Sequence, residues 1–202
     1  MTTGTVVAVD AGTQDRDSTE DALLAFVALL GAPVSLACTH VVTEPAPHWA
    51  FTLVLAGTAG PADTTQAGPA VLAAASSFSG ASLLVVHEDG STVSAGGPAW
   101  REGAQAAAGQ LLSGNGRVVL FPGQDELPGT VAVDDVTRLT PITQVIGIAG
   151  TPTAGRVLHT RGYVRPQLVD GRLLLHVRPY LDDDGVAPFE VPQPTPCCAT
   201  HA

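Results

Sequence analysis

Lysine is absent from this chain, and all nine of its basic residues are arginine. That excludes a Schiff-base lysine, a P-loop lysine and a lysine general base together. Positive charge is scarce altogether: nine basic residues face nineteen acidic ones, for a formal charge of −10. Phosphate contacts need clustered cations, so the balance argues against nucleic acid as a partner. Cysteine is equally sparse. Three residues, two of them adjacent, do not build the disulfide framework of a small secreted domain. The opening Met1-Thr-Thr-Gly-Thr lacks the basic start and apolar run of a secretory signal, and no apolar stretch approaches the length of a membrane span. A cytoplasmic chain with no membrane contact is the expectation. The Gly-x-Ser-x-Gly nucleophile signature is missing as well.

What is present is enough apolar residue, 45% of 202 positions, for a real core in one large domain or two small ones. The pattern predicts an α/β core over residues 1–125. Thr5-Val-Val-Ala-Val9 reads as a buried strand. Ser18 and Asp21 stand at the spacing of a capping pair before a helix over 18–30, which Gly31 and Pro33 close. From Val34 the period becomes two, placing Leu36, Cys38, His40 and Val42 on one strand face. The strand–helix–strand order is that of a right-handed βαβ unit if both strands share a sheet. Phe51–Leu55 is expected to return antiparallel, and residues 57–69 to form a loop. A helix near 70–78, a strand over 82–87, a helix over 99–112 and a strand over 117–121 follow. Beyond Pro122 the pattern predicts strands only, a β-rich segment over 126–190 that gives the second part an α+β character on a mixed sheet.

The Asp170-Gly171 pair is a two-residue hairpin signal. Pairing outward from it sets Leu168 against Leu173 and Arg165 against His176. Continued, this register gathers His159, Arg161, Tyr163, Arg165, Arg172, His176 and Arg178 on one cationic, aromatic face, with Leu173, Leu175 and Val177 on the other. Such a face suits a small anionic ligand, with His159 or His176 placed for proton transfer.

Residues 191–202 form a tail in which Pro192, Pro194 and Pro196 impose an extended course, ending in Cys197-Cys-Ala-Thr-His201. Two thiolates and an imidazole within five positions point to a soft transition metal, Zn²⁺ or Cu⁺, and Cys38 with His40 offers two further donors. The Cys197-Cys198 pair resembles the C-terminal thiol pair of mercuric reductases, which implies capture and hand-over of a metal. Their flavin-binding body has no counterpart in this chain.

Val6-Val-Ala-Val-Asp10, the helix after it and Gly31–Val42 resemble the opening strand–helix–strand of universal stress proteins. That resemblance implies a nucleotide contact from Asp10 and brings Asp10 and His40 toward one strand-end crevice. The glycine-rich phosphate loop of such proteins is not recognisable, and Gly96-Gly-Pro does not replace it; no nucleotide is assigned. Three readings therefore compete: a soft-metal protein using the tail, a small-molecule enzyme or binding protein using the arginine face, and a non-catalytic assembly subunit, for instance a homo-oligomer joined through a sheet edge or the hairpin.

Overall fold

The computed structural model describes residues 4–56, 68–127, 129–181 and 184–192. It is a mixed α/β protein that divides into two compact units, Met1–Pro122 with Leu168–Arg172, and Gly123–Gln167 with the chain from Leu173 onward.

In the first unit the order is β1 (Val6–Thr13), α1 (Arg16–Leu30), β2 (Val34–Val42), β3 (His48–Leu55), α2 (Pro69–Ser76), β4 (Ser82–Val86), β5 (Thr92–Gly96), α3 (Arg101–Leu112) and β6 (Gly116–Leu120). The strands lie side by side as β5-β4-β1-β3-β2-β6, every neighbouring pair antiparallel. β1 and β2 do share a sheet and run parallel, but β3 is inserted between them. The first six elements thus make a split βαβ arrangement. Such a strand pair needs the long crossover that α1 supplies.

Helix α1 starts earlier than its sequence pattern indicates. Asp15, not Ser18, is the cap: its carboxylate accepts the Ser18 N–H at 2.8 Å, and Ser18 sits in the first turn. Gly31, at φ +59°, ends the helix in the left-handed conformation that glycine adopts without a Cβ penalty.

Alternation along the strands divides the core. Val7 and Val9 of β1 and Phe51 and Leu53 of β3 pack with Leu23, Phe26 and Leu30 of α1 and with Val71 and Ala74 of α2. Each fully buried Leu or Phe in that layer contributes roughly 1.5–3 kcal/mol. The opposite face carries α3, where Ala104 and Ala108 meet Ala8 and Leu84, and Ala107 meets Val42 and Ala50. Small residues on α3 bring it close to the sheet, and with it the polar side chains described below.

The second unit holds β7 (Thr130–Ala132), α4 (Val133–Leu139), β8 (Ile142–Gly147), β9 (Val157–His159), β11 (Arg172–Pro179, from Leu173) and β12 (Val186–Pro188), while β10 (Gln167–Val169) leads into the hairpin turn. β11 pairs antiparallel with β12 and parallel with β8; β9 pairs parallel with β12 and antiparallel with β7. The expectation of strands alone after Pro122 is overturned by α4. Val133 and Val136 are buried at helical spacing, and Asp134 and Asp135 in the first turn with Arg138 in the last complement the helix dipole.

The Asp170-Gly171 turn forms, with φ of +48° and +75° as its type requires. The long register drawn outward from it does not. β10 ends at Gln167, because Pro166 before it has no N–H to donate and residues 160–166 form a turn and irregular chain instead. On β11 the alternation holds: Leu173, Leu175 and Val177 are buried while His176 and Arg178 are half-buried. Most of the loop assigned to 57–69 and the tail beyond Pro192 lie outside the described residues.

Candidate functional site

The expected cationic face is reassembled by other means. A type I′-like turn at Thr160–Tyr163, closed by the Tyr163 N–H donating to the Thr160 carbonyl at 2.9 Å, presents Arg161 and Tyr163. Arg161 itself stands at φ +54°, unusual for a residue with a side chain, and Gly162 follows at +70°. The Gly162 N–H is held by the Thr160 hydroxyl at 3.3 Å. Across from this turn, β11 delivers Arg178, whose register partner on β12 is Ala187.

Between them lies a cavity of about 520 Å³, lined by Arg161, Tyr163, Arg178 and Glu190 with an apolar wall that includes Pro188 and Val191. The size is that of a small-molecule pocket. Tyr163 donates its hydroxyl to Glu190 Oε1 at 3.2 Å, and the Arg165 guanidinium lies over the Tyr163 ring at 4.2 Å. Arg165 therefore braces the pocket rather than lining it. Among the described residues neither Arg161 nor Arg178 forms a side-chain hydrogen bond or ion pair. Two guanidinium groups beside an apolar wall can hold an anion with two-pronged hydrogen bonds.

The histidines expected on this face are elsewhere. His159 stacks on Tyr180, centroids 4.0 Å apart and planes 14° from parallel, and His176 lies half-buried along β11. Neither lines the cavity.

In the first unit the chemistry-bearing residues are sealed. Cys38 is a free, fully buried thiol whose pKa burial pushes up, and His40 is buried with Nε2 2.7 Å from the Thr52 hydroxyl. Burial, partly offset by Gln110, lowers the His40 pKa to about 4. The two share one face of β2, and Gly116 packs against both. Among the described residues no group of three or more His, Cys, Asp or Glu stands close enough to hold a metal ion. Cys197, Cys198 and His201 lie outside those residues.

A buried pair that the sequence reading missed lies on the α3 face. Asp10, within β1 where its register with β3 shifts, places Oδ2 2.8 Å from His48 Nε2, while His48 Nδ1 lies 2.6 Å from the Ala46 carbonyl. Both residues are almost wholly excluded from solvent. An imidazole with an acceptor at each nitrogen satisfies both as the imidazolium. Burial works against that charge, but the Ala46 and Asp10 bonds outweigh it and raise the His48 pKa. The Gly12 N–H completes the carboxylate at 2.8 Å, and the Trp100 ring packs on His48 with centroids 5.0 Å apart. A Cβ on Gly103 would stand 1.8 Å from Asp10 Oδ2, so glycine at this point in α3 is what admits the carboxylate. Asp10 and His40 do lie on strands flanking β3, yet each turns to a different residue of β3, His48 and Thr52. The strand-periodic run ending in Asp10 marked one partner; His48, after two prolines, gave no periodic signal.

No family model, curated protein or solved structure matches this chain. No helix among the described residues is long and apolar enough to cross a membrane.

Proposed function

We propose that this protein binds a small organic anion in the Arg161/Arg178 cavity of its second unit. The carrying observation is the pair of arginines at one cavity, neither engaged by a carboxylate among the described residues. Arg138, by contrast, is paired with Asp135 at 2.9 Å and Arg117 with Glu20 at 2.7 Å. The test is amide chemical-shift mapping of the full chain with small carboxylates and phosphate esters. Perturbations at Thr160–Tyr163 and Arg178 that disappear in the Arg161→Ala/Arg178→Ala double variant support the reading. Perturbations that avoid these residues reject it.

The Cys197-Cys198-x-x-His201 cluster carries a second reading, a soft-metal site for Zn²⁺ or Cu⁺ with a structural or metal-handling role. Cys38 and His40 would join it only if the core around them opened. Elemental analysis with a thiol count decides: a stoichiometric metal lost in Cys197→Ser/Cys198→Ser supports this site, and metal-free protein with both tail thiols reactive removes it. Cys38 reacts only on unfolding in either case, since the thiolate is the nucleophile and burial suppresses it.

A further inference from the structure

The geometry points to a ligand class: an apolar monocarboxylic acid, aliphatic or aromatic, bound head-first to Arg161 and Arg178. This rests on the anion-binding reading above and narrows it. Three observations select the class.

The first is charge. Among the described residues the lining carries two guanidinium groups and the Glu190 carboxylate, a net of one positive charge against which a single negative charge is balanced. The chain as a whole carries −10, so a doubly charged phosphate ester meets a stronger opposing field on approach than a monoanion does. The second is the wall. Val191 and the exposed Pro192 present hydrocarbon, backed by the buried Ala187 and Pro188, and the two prolines have no N–H to offer. The third is that, among the described lining residues, only Thr160 and Tyr163 add polar side chains to the charged ones. The lining hydroxyl of Thr160 accepts the Gly162 N–H and belongs to a residue that is 1% exposed, and the Tyr163 hydroxyl donates to Glu190. A sugar phosphate would set hydroxyls against that hydrocarbon wall, and each one desolvated without a partner costs about 1–3 kcal/mol. A carboxylate is matched in plane and spacing by a guanidinium fork, and its hydrocarbon body is matched by the proline and valine wall.

Calorimetric titration of the full chain with phenylacetate, phenyl phosphate and glucose 6-phosphate at neutral pH separates the outcomes. The first two have nearly the same body and differ in head-group charge; the third has a hydroxylated body. We expect phenylacetate to bind at least tenfold more tightly than phenyl phosphate, and glucose 6-phosphate not to saturate. Arg161→Ala, at an exposed position, and Arg178→Gln, which keeps the stem through Cδ and a polar uncharged end, should each weaken phenylacetate at least tenfold with the circular dichroism spectrum unchanged. Phenyl phosphate or glucose 6-phosphate binding as tightly as phenylacetate, with the same arginine dependence, overturns the monocarboxylate class and leaves the anion pocket standing. Failure of all three probes to bind overturns both. Phenylacetate binding that neither arginine variant weakens overturns the site.

Discussion

Arg117 of the first unit lies buried, its guanidinium 2.7 Å from Glu20 and 3.2 Å from the Thr39 hydroxyl, whereas Arg161 and Arg178 of the second line an open cavity without such partners among the described residues. Among the histidines the contrast holds for two of the first unit, His87 there being half-buried. His40 and His48 are sealed by strands and α3, while His159 and His176 stay part-exposed in the second unit. The same side-chain chemistry thus serves folding in one unit and is available to a ligand in the other. What separates the two uses is desolvation. A charge taken out of water must find its partner within the chain, and one left at a cavity wall need not.

The sharpest way to break this comparison is to strip a sealed partner. His48→Ala leaves the Asp10 carboxylate buried with only the Gly12 N–H, and should cost about 3–5 kcal/mol in denaturant unfolding. A loss below 1 kcal/mol would mean that water reaches Asp10 and that the first unit is not sealed. Next in size is the acid response of His40. Its folded pKa of about 4 lies below the unfolded value near 6.5, so the unfolded chain takes up the proton first as pH falls. Stability should therefore drop by about 3 kcal/mol between pH 6.5 and pH 4, and His40→Gln should flatten that drop. His48 has the opposite sign. Its raised pKa gives a contribution that is full below the unfolded value and fades as pH climbs through the folded one. Unfolding free energies of the two single variants across pH 4–9 separate these slopes.

A smaller effect distinguishes two glycines of one helix. Gly109 on α3 has nothing within 4 Å of an added Cβ, so Gly109→Ala should stabilise by about 1 kcal/mol through helix propensity. Gly103→Ala drives the same methyl group into Asp10 and should instead destabilise by about 1–3 kcal/mol. If both stabilise, the carboxylate has room to move and the pair with His48 is looser than its 2.8 Å contact implies.

Which of these features was legible in the sequence follows from their range. Helix α1 and the strands around it were readable because their signals are local: Leu23, Phe26 and Leu30 recur at helical intervals, and Cys38, His40 and Val42 alternate. α4 was missed because seven residues give little periodicity, and its two valines resemble a strand as readily as a helix turn. The insertion of β3 between β1 and β2 depends on pairing across the chain, which no single stretch encodes. The arginine face shows both sides of this. Arg161, Tyr163 and Arg178 do come together, but through a turn and two strands, β11 and β12, rather than the hairpin ladder that Pro166 interrupts. Asp10 and His48, 38 residues apart, needed the fold itself to meet.

The smallest effect bears most directly on the second unit. Arg161 holds φ +54° where glycine would be at ease, a conformation that costs a residue with a Cβ about 1–2 kcal/mol. Arg161→Gly removes that strain and gives back part of it through the freer unfolded chain, so the net should be a stabilisation of about 1 kcal/mol or less. The side chain it removes is exposed and has no partner to lose among the described residues. If the arginine is there for a ligand, the variant should unfold at a slightly higher denaturant concentration and bind phenylacetate at least tenfold more weakly. A variant that loses stability would show instead that Arg161 serves folding, and the contrast between a sealed unit and a binding unit would fail at that residue. Gaining stability while losing a ligand is the signature expected where a binding residue is held in place against the preference of its own backbone.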